Sequence, residues 1–240
     1  IYFLIPNNMR TQKTIGILLI IGAIGLLVPY TMLTMHFEYP DILRQDTATI
    51  LTKFHQGGSS LIFTWFAFAL TGIPLIPAYI FMGRTLDQAS PWMRVATNVG
   101  VIGLIVQLIG LLRWTFVVPV IAESFVSATD EGTKTAAIMA FKTIHQFAGV
   151  LLGEHLGQLF TIAWTIIVSV VLLTSRKMPR WICWLGLGSA FIYLLAQAEL
   201  LHTVIHGFPV WDMAGFIGST LWLIWLTIIG IRFINMKSST

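Results

Sequence analysis

Charged residues are scarce in this chain of 240 residues: they make up 10% of it, whereas hydrophobic residues make up 56%. Soluble domains carry about 25% charged residues, so water cannot be the solvent of most of this surface. The composition therefore predicts an integral membrane protein whose main partner is the lipid bilayer. The 14 lysines and arginines are spread between apolar runs and form no basic stripe, so nucleic acid is not expected as a partner.

Cysteine is nearly absent, since Cys183 is the single one. One cysteine excludes an intrachain disulfide and a CxxC redox pair, and with them thiol-oxidase chemistry. Cys183 lies in an apolar run, where we expect it to pack as a small hydrophobic residue.

Long apolar runs, in contrast, are abundant. A membrane-spanning helix needs about 20 apolar residues, and six runs reach that length. We therefore predict an all-α fold, with residues 1–240 forming a single transmembrane domain. The six predicted spans are 14–35, 59–82, 95–122, 148–174, 180–205 and 212–234.

Two segments between spans, 36–58 and 123–147, are the only sizeable connections. Residues 46–56 of the first predict a short helix that is capped by Asp46, with Ile50, Leu51 and Phe54 on one face. The second has helical character around 134–145. Neither segment is long enough for a separate soluble catalytic domain.

The distribution of basic residues predicts the orientation. An even number of spans places both termini on one side, and the lysine and arginine excess on that side indicates the cytoplasm. Asp87 is the one acid among the segments of that side. Its basic residues number nine: Arg10, Lys13, Arg84, Arg94, Arg176, Lys177, Arg180, Arg232 and Lys237.

Comparison of the chain with itself at an offset of 90 residues indicates a weak internal repeat. His55 and Gln56 align with His145 and Gln146, and further matches include Pro119 with Pro209. Spans two and three would then correspond to spans four and five as a parallel repeat. This predicts a pseudo-symmetric four-helix core in which His55 faces His145.

Every histidine falls at the outer end of a span or in an outer segment, and so do Glu154 and Glu199. Arg113 lies deeper, about 14 Å inside the outer boundary at ~1.5 Å per residue. An arginine at that depth costs roughly 2.5–3.5 kcal/mol on insertion scales. It is expected either to bind an anionic ligand, with Glu154 and Glu199 as neighbouring ligand-binding residues, or to form an ion pair that joins helices.

Two patterns predict a site on spans four and five. Glu199 and His202 are three residues apart, a spacing that helix-bundle metal sites use. Gly149 and Gly153 begin a small-residue stripe that allows close helix approach and carries neighbouring side chains to a helix interface. The residues that we predict as metal ligands are His55, His145, His155 and His202.

Four motifs stand out along the chain: Tyr39-Pro-Asp-Ile-Leu-Arg44, Leu51-Thr-Lys-Phe-His55-Gln-Gly-Gly58, Thr64-Trp-Phe-Ala-Phe-Ala-Leu70 and Gly153-Glu-His-Leu-Gly-Gln158. Together they resemble the DUF4386 family of bacterial integral membrane proteins. The resemblance extends from span one to span six. It implies a multi-pass protein of the bacterial inner membrane and supplies no catalytic residues, because the family has no established function.

Three functions remain open. The first is an outward-facing His/Glu/Arg site that binds a small ligand, a transition metal ion or haem b. The second is a membrane enzyme that acts on a lipophilic substrate, with metal-activated water as the simplest chemistry. The third is a non-catalytic role, either as a small transporter or as an accessory subunit of a larger membrane complex that would associate laterally with other subunits or with itself.

Overall fold

A computed structural model of the chain describes residues 9–236, which are helical almost throughout and contain no β-strand. Residues 1–8 and 237–240 of the predicted domain, among them Lys237, lie outside the described residues. The helices are α1 (Met9–Gly25), α2 (Leu27–Phe37), α3 (Thr47–Leu70), α4 (Leu75–Leu86), α5 (Trp92–Phe116), α6 (Val118–Val126), α7 (Glu131–Ile144), α8 (Gly157–Thr174), α9 (Arg180–Leu195), α10 (Gln197–His202) and α11 (Ala214–Asn235).

The described residues also form two short elements that are not α-helices. A 3₁₀ turn covers Asp41–Arg44, and a π-helical segment, His145–Leu156, joins α7 to α8. A π-helix of 12 residues is unusual, because π-helices occur mostly as single turns and often at functional sites.

Six continuous or nearly continuous helical stretches are long and apolar enough to cross a membrane among the described residues. They are Met9–Phe37, Thr47–Leu86, Trp92–Val126, Glu131–Thr174, Arg180–His202 and Ala214–Asn235. The prediction of an all-α protein with six transmembrane helices is therefore confirmed. Three stretches contain 35 to 44 residues, because the predicted connecting helices continue the spans instead of lying apart from them.

The start of α3 confirms the predicted cap. The Asp46 side chain accepts hydrogen bonds from the backbone N–H groups of Ala48 (2.9 Å) and Thr49 (3.2 Å). Its neighbours Ile50 and Leu51 are buried, as expected of one apolar face. The Thr49 hydroxyl also donates to the carboxylate, and these bonds hold the pKa of Asp46 below its ordinary value.

The described chain forms two compact units, each built from segments that are separated in sequence. Unit 1 contains the described residues up to Ile24, Gly72–Ile105 and the residues from His155 onward. Unit 2 contains Gly25–Thr71 and Val106–Glu154. The predicted single domain and the four-helix repeat core stay predictions.

Unit 1 has an apolar core to which α1, α4, α8, α9 and α11 contribute. Tyr79 and Trp164 stack at its centre with ring centroids 3.8 Å apart, and Trp225 meets Trp164 edge-on at 5.7 Å. Cys183 is fully buried in this core, which confirms that it packs as a hydrophobic residue.

Unit 2 is dominated by aromatic rings. Trp65 and Trp114 stack with centroids 4.8 Å apart, and Phe37 meets both rings edge-on, at 6.2 Å and 5.5 Å. Phe54 stacks on Trp114 at 5.5 Å. Aromatic pairs in these geometries contribute about 0.5–1.5 kcal/mol each beyond the area they bury, so this network gives unit 2 a rigid core.

Both units expose large apolar side chains on their helices. Trp92 and Phe191 of unit 1 are 61% and 63% exposed, and Phe63 and Phe116 of unit 2 are 69% and 65% exposed. Apolar surface on this scale needs a covering partner. Lipid is that partner, because these residues lie on helices of membrane-spanning length and composition.

Candidate functional site

Arg113 is the most deeply buried charged side chain among the described residues, with 5% of its surface exposed. It lies near the end of α5 in unit 2. One terminal nitrogen, Nη1, donates to the carbonyl of Gly110 one turn earlier, and the guanidinium carbon lies 5.2 Å from the centre of the Trp114 ring. The buried Nε has no hydrogen-bond partner among the described residues. The guanidinium therefore keeps donor capacity beyond its bond to Gly110.

A flat glycine surface explains how the guanidinium fits. A β-carbon on Gly149 would lie 2.5 Å from Nη2 and 2.8 Å from Cζ of Arg113. The guanidinium thus rests directly on the backbone of the π-helical segment. One turn before Arg113, the backbone of α5 touches the backbone of the same segment: a β-carbon on Gly110 would lie 2.7 Å from Cα of Gly153. The predicted role of this stripe in close helix approach is confirmed at Gly153, whereas Gly149 contacts the Arg113 side chain.

Two side chains interact electrostatically with the Arg113 guanidinium. They are Glu154 of the π-helical segment and Tyr39, which precedes the 3₁₀ turn. Glu154 also faces Arg44, whose Nη2 lies 3.8 Å from its Oε2. Both of these side chains are partly exposed, at 25% for Glu154 and 38% for Arg44. Two guanidinium groups around one carboxylate give these three side chains a net charge of +1.

His145 lies at the start of the π-helical segment, against the aromatic core of unit 2. Its ring stacks on Phe141 at 5.3 Å and meets Trp114 at 6.1 Å. The buried Nδ1 has no hydrogen-bond partner among the described residues. Arg44 and Arg113 both act electrostatically on this ring, so His145 belongs to the same polar cluster as the two arginines.

His55 lies elsewhere in unit 2. Its Nδ1 is 3.4 Å from Oε2 of Glu123, and both side chains are substantially exposed. His55 and Glu123 line a small pocket of about 210 Å³ between α3 and α6. The expected face-to-face arrangement of His55 and His145 stays a prediction, and the contacts found for the two rings are with Glu123 and with Phe141 and Trp114.

The remaining predicted site residues belong to unit 1. His155 Nδ1 lies 2.7 Å from Oε1 of Gln197, and Gln197 donates through Nε2 to Oε1 of Gln158 at 2.6 Å. His202 Nδ1 lies 3.0 Å from the carbonyl oxygen of Phe208. Glu199 precedes His202 on α10.

The predicted residues thus divide between two units: His55, Arg113, His145 and Glu154 in unit 2, and His155, Glu199 and His202 in unit 1. Within the described part of the chain, no three His, Cys, Asp or Glu side chains are grouped so that they could hold a metal ion. The predicted metal ligands stay a prediction.

Sequence reasoning missed several members of these clusters. Arg44 and Tyr39 reach the Arg113 cluster from the connection after α2, and spacing along one helix cannot reveal such partners. Gln197 could have been found from the sequence, because a buried amide within an apolar span is itself a signal of an interhelical hydrogen bond.

One comparison with known proteins identifies a relationship. Residues 14–230 match the model of a family that is described as a domain of unknown function, DUF4386. No curated protein and no solved structure matches the chain. The family match covers nearly the whole of the predicted membrane domain and agrees with the motifs around His55 and Glu154. The chain is therefore a member of the DUF4386 family.

Proposed function

We propose that this protein binds a small organic anion in the membrane, through the Arg113 cluster of unit 2. The observation that carries the proposal is the state of Arg113 itself: it is 95% removed from solvent, and its buried Nε lacks a partner among the described residues. Intramembrane ionisable residues are expensive and are functional by default. A buried unpartnered donor adds a further cost of about 1–3 kcal/mol, which an anionic ligand would remove.

The local charge supports an anion over a cation. Arg44, Arg113 and Glu154 together carry a charge of +1, and the guanidinium fork suits a planar carboxylate or a phosphate group. If Arg113 existed only to join helices, a single carboxylate facing it alone would serve. Here Glu154 is shared with Arg44.

The surroundings of Arg113 limit the size of the ligand. The neighbouring rings of Trp114 and Phe141 are buried and pack against other aromatic side chains, so they leave no free surface for a large carbon skeleton. The best candidate is therefore a small carboxylate or phosphate ester.

Thermal unfolding of the purified full-length protein, in the presence of a panel of carboxylates and phosphate esters, tests this proposal. A ligand at 100 times its dissociation constant stabilises a protein by about 2.7 kcal/mol, which corresponds to a rise of roughly 5–10 °C for a chain of this size. We expect at least one class of anion to give such a rise.

Matched variants assign the effect to the site. Arg44→Gln changes a partly exposed partner and is expected to fold and to weaken binding at least tenfold, whereas Arg113→Leu abolishes it. Arg94→Gln is the control, because Arg94 pairs with Asp87 in unit 1 and is exposed. If no anion in the panel stabilises the native protein, or if the Arg44 and Arg113 variants respond like the control, the proposal is wrong.

Metal and haem binding remain predictions with a simple test. Haem b would give a Soret absorption band in the purified protein, and a transition metal would appear in elemental analysis. The rings of Trp65, Trp114 and Phe54 already pack against one another in the core of unit 2. A haem in that core would have to displace them, so a small anion is the simpler occupant.

We also propose that the protein resides in the bacterial inner membrane with both termini in the cytoplasm. The lysine and arginine excess in the segments on the side of the termini supports this orientation. A fluorescent protein that becomes fluorescent only in the cytoplasm is fused to the C-terminus, and the fusion is expected to fluoresce. A non-fluorescent fusion, together with activity of a reporter that works only in the periplasm at the same position, would contradict the proposed orientation.

A further inference from the structure

A second site in unit 2 is independent of the Arg113 cluster. It is the pocket of about 210 Å³ between α3 and α6, and its polar side chains are His55, Ser59 and Glu123. The rest of the lining is apolar or glycine, including Gly58 and Pro119. Three residue types that together support nucleophilic catalysis thus border one small cavity.

His55 and Glu123 have the relationship of a general base and its orienting carboxylate. Oε2 of Glu123 lies 3.4 Å from Nδ1 of His55. A carboxylate at Nδ1 favours the tautomer that carries its proton there, which leaves Nε2 as the nitrogen that can accept a proton. In hydrolases of unrelated folds a histidine that is oriented in this way activates a serine hydroxyl, and Ser59 is the serine that lines the same pocket as His55.

Ser59 stands where α3 is interrupted. Gly58 has φ 53° and ψ −150°, a conformation that L-residues with side chains rarely adopt. The break separates Ser59 from the regular helix that carries His55, and both side chains border the same pocket.

We propose that Ser59, His55 and Glu123 form a hydrolytic site for carboxylic esters of lipophilic molecules. Oγ of Ser59 attacks the ester carbonyl carbon while Nε2 of His55 accepts the hydroxyl proton. The bond from the carbonyl carbon to the alkoxy oxygen then breaks, and the leaving alcohol takes that proton from His55. Water then attacks the acyl carbon while His55 accepts one of its protons. The bond between the acyl carbon and Oγ breaks, Oγ takes that proton from His55, and the carboxylic acid leaves.

The position of the pocket supports a lipophilic substrate. Both helices that line it, α3 and α6, belong to stretches of membrane-spanning length and composition. An ester that dissolves in the bilayer is therefore the kind of substrate that would reach it.

The alternative interpretation is that His55 and Glu123 form an exposed pair with no catalytic role, and such pairs contribute about 0–1 kcal/mol to stability. A pair of that kind would not make the Ser59 hydroxyl reactive. Covalent labelling of Ser59 therefore distinguishes a catalytic pair from a structural one.

The experiment treats the purified full-length protein in detergent micelles with a long-chain fluorophosphonate, followed by peptide mass spectrometry. Hydrolysis of p-nitrophenyl butyrate, octanoate and palmitate is measured in parallel. We expect a phosphonate adduct on Ser59 and faster hydrolysis of the longer esters. Ser59→Ala is expected to abolish both, and the matched neighbour Ser60→Ala to leave both unchanged.

The partners of Ser59 give the second test. His55→Asn and Glu123→Gln are expected to lower kcat by roughly 10²–10⁴-fold, the range of general acid–base catalysis. A native protein that is unlabelled and hydrolyses no ester above the Ser59→Ala background would overturn the proposal, as would an adduct on a different residue. Anion binding by the Arg113 cluster is measured separately, so either proposal can fail alone.

Discussion

Gly149→Ala is expected to weaken the protein by forcing the Arg113 guanidinium away from the π-helical segment. The new methyl group would lie 2.5 Å from Nη2 and 2.8 Å from Cζ, and real carbon contacts are about 3.5–4.0 Å. The guanidinium must therefore shift by about 1 Å. Overpacking of this kind costs about 1–3 kcal/mol.

Gly188→Ala is the matched control. Gly188 also lies in a helix, and a β-carbon there would meet nothing within 4 Å. Both substitutions gain the same helix propensity of up to about 1 kcal/mol, so the difference between the two variants isolates the clash. The unfolding temperature of Gly149→Ala is expected to lie roughly 2–12 °C below that of Gly188→Ala.

Arg113 supplies a further check by a double-mutant cycle, with unfolding in detergent followed by tryptophan fluorescence. In an Arg113→Leu background the clash is removed, so Gly149→Ala should cost less by about 0.5–3 kcal/mol, the usual coupling between contacting residues. Equal unfolding temperatures for Gly149→Ala and Gly188→Ala, together with no coupling to Arg113, would refute this packing of the guanidinium.

Three other changes test separate features. Gly110→Ala places a methyl group against the backbone of the π-helical segment. It should lower the unfolding temperature more than Gly149→Ala, because backbone atoms can move away from a clash less easily than the end of a side chain. Trp222→Phe removes the hydrogen bond of 2.9 Å from the indole to the Thr165 hydroxyl and should cost about 1 kcal/mol in an unfolding assay. Asp46 has a lowered pKa from its bonds to Thr49. Its stabilising effect is therefore present above its unfolded pKa and lost as pH falls through the lowered value, and Asp46→Asn should remove that pH dependence while keeping the cap.

The number and approximate positions of the membrane helices could be predicted from the sequence, because length and hydropathy alone select them. The cap at Asp46 and the close helix approach at Gly153 were also predictable, since each depends on local spacing. The extension of the spans into the connecting helices was not predictable. Segments such as 134–145 contain enough polar residues to be interpreted as connections between spans, although they continue a long helix.

The candidate site was only partly predictable. Arg113 was predicted as a site residue from its depth within an apolar run, and that prediction needs no knowledge of the tertiary structure. Arg44 approaches from another segment, and its contact with Glu154 depends on how the chain folds back. The pocket at Ser59 depends on the backbone break at Gly58, and a Gly-Gly-Ser-Ser sequence within a helix does not by itself specify which glycine departs from the helix.

The most direct test of the central claim is native mass spectrometry of the full-length protein purified in mild detergent. Anion binding at Arg113 predicts a small co-purifying adduct on the native protein that is retained by Arg94→Gln and lost from Arg44→Gln and Arg113→Leu. An adduct-free native protein that also takes up no carboxylate or phosphate ester at millimolar concentration would contradict it.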